Sequence, residues 1–202
     1  MEQTTNSITV RGSMVSTPEF SHENHGRRFF RFMLEVPRLS GAVDILPVMA
    51  PEDLINEIDP FEEDPLYVTG QIRSHNLRDN DGRHLLIFIF ANNLTTEDGP
   101  PTNDVQIEGI LCRDPTYRRT PLGREICDAM LAVPRAFKRA DYLPCILWGR
   151  TAQEVSGCNT GDKIKISGRL QSRIYTKLTE DGAIEKTAYE ISALTAEILE
   201  LS

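Results

Sequence analysis

The chain matches itself when displaced by 97 residues, and this constrains the fold more than any other feature. Gly12 falls on Gly109 and Pro18 on Pro115. Met33-Leu34 falls on Met130-Leu131, and Val36-Pro37-Arg38 on Val133-Pro134-Arg135. Asp44 falls on Asp141, and Leu46-Pro47 on Leu143-Pro144. A displacement of 98 then carries Gly70 onto Gly168 and Ser74 onto Ser172. One register held over tens of residues means two copies of one unit. Each unit must close its own core with about 100 residues, an ordinary size for a domain. The units are expected at 1–98 and 104–202, joined by the turn-forming linker Gly99-Pro100-Pro101-Thr102-Asn103.

Each unit reads as mostly strand. In the second, apolar and polar residues alternate from Asp104 to Cys112 and again from Arg124 to Val133. Asp114-Pro115-Thr116 and Thr120-Pro121-Leu122-Gly123 are turn signals. Tyr142 to Trp148 reads as a third strand, Thr151 to Ser156 as a short helix and Lys163 to Tyr175 as a long fourth strand. Asp181-Gly182 reads as a hairpin turn before a fifth strand over Thr187 to Leu199. An all-β chain of two tandem OB-fold barrels is expected, each of five strands with a short helix after the third. An SH3-like barrel is the nearest rival, but it offers no place for that helix.

Charge is divided unevenly. Residues 1–98 hold 8 arginines, no lysine and 16 acids, so they carry the whole net charge of -8. The remaining residues hold 14 basic and 14 acidic side chains. Phosphate contacts need local positive charge, so the first unit is a poor nucleic-acid binder. The second can still gather its cations on one face. No stretch approaches about 18 apolar residues, and Met1 to Gly12 has neither a basic nor an apolar leader region. A cytoplasmic protein with no membrane association is expected. Cys112, Cys127, Cys145 and Cys158 lie in the second half and His22, His25, His75 and His84 in the first, with no paired spacing. No metal site and no cofactor are expected. Without a Walker loop, GxSxG, HExxH or spaced carboxylate pair, no catalytic residue is expected and the chain reads as a non-enzyme.

Differences between the units separate what serves the barrel from what serves something else. On the fourth strand of the second unit, Ile164, Ile166, Gly168 and Leu170 share the core parity. Lys163, Lys165, Ser167, Arg169, Gln171, Arg173 and Tyr175 share the other. That face suits a phosphodiester backbone, or it is a strand kept soluble by its cations. On the third strand, Tyr142, Ile146 and Trp148 alternate with Leu143, Cys145 and Leu147. If the second set fills the core, two aromatics lie outside it, where bases can stack. If not, Trp148 is a core residue, the usual place for a lone tryptophan. Tyr117 and Phe137 lie in loops beside Arg118, Arg119, Lys138 and Arg139. The first unit keeps the core parity as Leu66, Val68, Gly70 and Ile72. It replaces Phe137 by Ser40, Tyr142 by Ile45, Trp148 by Pro51, Arg169 by Gln71 and Tyr175 by Leu77. Its one basic-aromatic patch is Arg27-Arg28-Phe29-Phe30-Arg31, which reads either as a binding patch or as a strand buried on both faces.

The segments Leu131-Ala132-Val133-Pro134-Arg135, Asp141 to Ala152, Gly161-Asp162 and Gly168 to Tyr175 resemble the bacterial single-stranded-DNA-binding protein family. The resemblance covers most of the second unit. It implies an OB-fold and sequence-independent binding and protection of single-stranded DNA in replication, recombination, repair or mobile-element transfer. The family's four stacking positions fall on Phe137, Tyr142, Trp148 and Tyr175, with Tyr117 added from the reading of the loops. Arg135, Arg169 and Arg173 fall on its basic positions; Arg118, Arg119, Lys138, Lys163 and Lys165 complete the expected phosphate set. The family works with four OB-folds, so this chain would be a homodimer, placed at the nucleoid, with replication proteins among its partners. The family's acidic recruiting tail has no counterpart after Glu197-Ile198-Leu199-Glu200-Leu201-Ser202, so tail-dependent recruitment is not expected. The alternatives are a primosome-like OB adaptor, whose acidic first unit docks a basic partner, and RNA binding through the same face.

Overall fold

The computed structural model describes residues 5–79, 82–179 and 182–199. The first unit runs β1 (Asn6–Met14), β2 (Glu19–Asn24), β3 (Arg27–Pro37), β4 (Val43–Pro51), α1 (Glu52–Ile58), β5 (Pro65–Asp79) and β6 (Gly82–Thr96). The second runs β7 (Thr102–Leu111), β8 (Thr116–Arg119), β9 (Glu125–Arg135), β10 (Arg139–Trp148), α2 (Gly149–Val155), β11 (Lys163–Thr179) and β12 (Gly182–Leu199). Asp181, half of the expected hairpin turn, and Glu200 to Ser202 lie outside the described residues.

All the strands join one 12-stranded sheet, ordered β2-β3-β4-β6-β5-β1-β7-β11-β12-β10-β9-β8. Each half also closes on itself. β1 pairs with β3 at Met14 and Leu34, and β7 with β9 at Leu111 and Leu131. In each half the one parallel pairing, β4 with β6 and β10 with β12, places the last strand against the strand before the helix. This is the OB-fold plan, and the two barrels are tandem copies of it. The barrels meet where β1 and β7 pair antiparallel, from Asn6 with Ile107 to Arg11 with Thr102.

The period-2 reading of the core holds. Ile164, Ile166 and Leu170 are buried beneath β11, as are Leu143 and Leu147 beneath β10. Leu66, Val68 and Ile72 fill the matching positions of the first barrel. Three details differ from the sequence reading. β8 forms from residues expected in a loop; all four are exposed, so no apolar alternation announced the strand. β7 begins at Thr102, inside the expected linker. The Asn103 amide bridges the Leu170 backbone, accepting from its N–H (3.0 Å) and donating to its carbonyl (2.7 Å), so a turn-type residue serves the sheet. α2 starts at Gly149, two residues before Thr151. The displacement changes from 97 to 98 because the loop after α1 spans 59–64, whereas that after α2 spans 156–162.

The repeated polar residues hold the barrels together. Asn6 bridges the Ile72 backbone as Asn103 bridges Leu170. Asp44, fully buried, accepts from the Ser172 N–H (2.7 Å) across the seam, while the Ile45 N–H donates to the Ser172 hydroxyl (3.3 Å). Asp141, also fully buried, accepts from the Ser74 N–H (2.7 Å), while the Tyr142 N–H donates to the Ser74 hydroxyl (2.7 Å). Two reciprocal Asp–Ser clasps therefore cross the seam. Each relieves buried groups that would otherwise cost about 1–3 kcal/mol apiece.

All four cysteines are free thiols, with Cys112 exposed and the others buried. Burial pushes Cys127 up to about 11 and Cys145 higher still. The thiolate is the reactive form. In the folded protein at pH 8, Ellman's reagent is expected to modify Cys112 and to reach the other three only after denaturant is added. Rapid native modification of all four would contradict this burial. Among the described residues no helix is long and apolar enough to cross a membrane, and no three His, Cys, Asp or Glu side chains are placed to hold a metal.

Candidate nucleic-acid interface

The outer surface of the second barrel is built by pairing. β10 sits between β9 and β12, and β11 lies beyond β12. With Leu143, Cys145 and Leu147 turned inward, Tyr142 and Trp148 emerge on the outer face, 43% and 37% exposed. Ile146, on the same parity, is buried. The indole N–H of Trp148 donates to the Ser192 hydroxyl (3.2 Å), which fixes the ring edge on β12. Arg169 is paired with Ser192 across β11 and β12. Trp148, Arg169 and Ser192 line one shallow cavity with Arg124, Ala193 and Leu194. The Arg169 Nε is buried there with no hydrogen-bond partner. The cavity thus brings a ring and a guanidinium together, and the Arg169 Nη2 donates to Gln171 (3.4 Å).

Phe137 stands at the tip of the short turn Ala136–Lys138 and is 93% exposed. Phe137 (φ 59°) and Lys138 (φ 56°) are both left-handed, costing roughly 1–2 kcal/mol per residue. The first barrel makes the corresponding turn with Ser40 and Gly41, and there glycine takes the positive φ. Tyr175 is 38% exposed, with the Arg173 guanidinium over its ring at 5.7 Å. Tyr117 lies on β8 rather than in a loop. Its hydroxyl, hydrogen-bonded to Glu125, is pushed up and Glu125 is held down.

The expected cations divide into two groups. Arg118 pairs with Asp128 (2.6 Å), Arg119 with Glu125 (2.9 Å), Lys163 with Glu108 and Arg173 with Glu190 (3.5 Å). Arg135 reaches Asp141 (3.3 Å). Lys138, Lys165 and Arg169 have no ion-pair partner among the described residues. Exposed pairs are worth only about 0–1 kcal/mol, so a phosphate can compete for Arg118, Arg119, Lys163 and Arg173, whereas Arg135 is held on the fully buried Asp141. Arg124 was not legible as a site residue. Its neighbours in sequence are turn residues, and only the fold brings it beside Trp148.

The matching surface of the first barrel is different. Ile45 and Pro51 stand where Tyr142 and Trp148 do. Arg27, Arg28 and Arg31 are paired with Asp53, Glu52 and Glu19. Phe29 is buried, stacked on His22 (4.9 Å) and against Phe90 (5.8 Å). The basic-aromatic patch of that unit is therefore neutralised by its own carboxylates.

Known proteins resemble the chain in sequence and in fold. The model of the Single-strand binding protein family matches residues 102–199. The chain is 39% identical over 80 residues to Single-stranded DNA-binding protein B of Bacillus subtilis, covering 36% of this chain and 71% of that one. It is 32% identical over 107 residues to the Single-stranded DNA-binding protein of Oceanobacillus iheyensis, covering 48% of this chain and 63% of that one. Over its full length it superposes on a deletion mutant of the single-stranded DNA binding protein from Thermus aquaticus, with TM-score 0.80, 19% identity and 98% of that chain covered. At that identity the likeness is one of fold.

Proposed function

The chain belongs to the single-strand binding protein family, and we propose that its second barrel binds and protects single-stranded DNA without regard to base sequence. The observation that carries this reading is an exposed Trp148 ring sharing one cavity with Arg169, a cation with no ion-pair partner among the described residues. Bases stack on such rings with little sequence dependence, and cations beside them take the backbone. Phe137, Tyr142 and Tyr175 supply further rings, and Tyr117 an outlying one. Lys138, Lys165 and Arg169 are the ready phosphate contacts. Arg118, Arg119, Lys163 and Arg173 join by exchanging carboxylate for phosphate, and Arg135 through the donors that Asp141 leaves unused. The acidic first barrel serves as scaffold. Four barrels in a homodimer, a cytoplasmic place at the nucleoid and partners among replication proteins complete the proposal. Its setting is replication, recombination, repair or mobile-element transfer.

Trp148 is the only tryptophan, so it reports on its own site. Adding oligo-dT is expected to quench its fluorescence saturably, with an affinity that falls as salt rises. Unchanged emission, with no oligonucleotide retained in a mobility assay, would overturn the reading and favour the adaptor.

A further inference from the structure

The two seam clasps are alike in backbone and unlike in charge. At the first, Asp44 is served by one arginine, Arg38, through Nε (2.7 Å) and Nη2. At the second, Asp141 is served by two. Arg73 Nη1 donates to Oδ2 (3.1 Å) and Arg135 Nη1 to Oδ1 (3.3 Å). Arg139 lies close enough to push on Arg135. Burial pulls the Arg135 guanidinium down, Asp141 draws it up, and the like charges of Arg73 and Arg139 depress it again. The first clasp has Gln171 and Ala42 in place of Arg73 and Arg139. One arginine is therefore enough for a clasp. The second holds two guanidinium groups on one carboxylate, with Arg139 paired to Arg135 across β9 and β10, and that carboxylate already accepts the Ser74 N–H.

The surplus charge lies beside the aromatic positions of β10 and of the turn before it. Asp141 directly precedes Tyr142 on β10, and the turn presenting Phe137 leads into that strand. Arg73 comes from the other barrel, on β5, held by Asp141, by Gln71 and above the Phe90 ring (5.9 Å). Its side chain is 19% exposed and that of Arg135 31%. Each guanidinium has more donors than Asp141 can use. A phosphate diester here would accept charge-assisted hydrogen bonds and relieve the mutual repulsion of the three cations.

We propose that Arg73 of the first barrel, with Arg135 and Arg139 of the second, binds a backbone phosphate of the single strand, which crosses the seam between Phe137 and Tyr142. This rests on the proposed function. It gives the acidic first barrel one direct nucleic-acid contact, and it makes the site of the second barrel incomplete without the first.

The test is the salt dependence of oligo-dT binding to the full chain. Arg73→Gln is expected to lower the slope of log K against log salt by about one, and Arg73→Lys to restore it. Arg38→Gln, which removes the arginine of the other clasp, is expected to leave the slope unchanged. A structural role alone would weaken folding in both glutamine variants without separating their slopes. If Arg73→Gln does not fold, the wild-type chain still decides. Bound oligo-dT is expected to protect Arg73, but not Arg38, from phenylglyoxal. Equal slopes for wild type and Arg73→Gln, or no protection of Arg73 while Trp148 is quenched, would overturn the inference. Failure of the wild-type chain to bind oligo-dT would instead sink the proposed function.

Discussion

Trp148→Ala is expected to weaken single-strand binding by about 1–3 kcal/mol, roughly 5- to 160-fold, and by similar factors for dT, dC and dA oligomers. The uniformity stems from the contact, because every base has a face to stack and the indole edge is already engaged by Ser192. The ring is 37% exposed and its N–H is bonded to the buried Ser192 hydroxyl, so the change also costs some folding stability. The urea midpoint is therefore the control. Arg169→Ala should behave differently. It should reduce the salt slope by about one and leave the tolerance for different bases intact. Affinity within twofold of wild type for Trp148→Ala, in a folded protein, would remove the ring from the site.

The barrels were legible because their cores obey period-2 alternation and because one unit could be read against the other. Tyr142 and Trp148 fell outside the core on parity alone, once Leu143 and Leu147 were placed within it. The duplicates also exposed Phe137, since Ser40 and Gly41 make the same turn without an aromatic or a strained residue. What stayed hidden depends on neighbours far away in sequence. Asp128, Glu125, Glu108 and Glu190 bind cations that the sequence counted as available, and nothing in the spacing pairs them. Arg124 meets Trp148 only through the barrel, and Arg73 meets Asp141 only across the seam. β8 was missed for a related reason. A strand exposed on both sides has no pattern to show, and its register against β9 alone defines it. The identities Asp44/Asp141 and Ser74/Ser172 announced the repeat, while their work in the clasps could be assigned only from contacts.

That work can be measured. Asp44→Ala is expected to destabilise the protein by about 3 kcal/mol, the low end of the cost of removing one member of a buried ion pair. Asp44 is fully buried, and its carboxylate accepts from the Arg38 guanidinium, from the Ser172 N–H (2.7 Å) and from the Ser172 hydroxyl (3.2 Å). Alanine leaves all three donors without that acceptor. The Arg38 side chain is 21% exposed, so water recovers part of its solvation and holds the loss below the upper figure of about 5 kcal/mol. Against a total stability of about 5–15 kcal/mol the loss is large, and the urea midpoint should fall accordingly. Adding Arg38→Ala to Asp44→Ala should cost less than the sum of the two single changes, because the stranded charge leaves with its partner. Amide exchange localises the effect. Ile45 and Ser172 should open sooner than Leu46 and Leu170, whose amides belong to the barrels on either side. A loss below about 1 kcal/mol, or exchange that quickens evenly through both barrels, would mean that β1 against β7 suffices to join them and the clasp adds nothing.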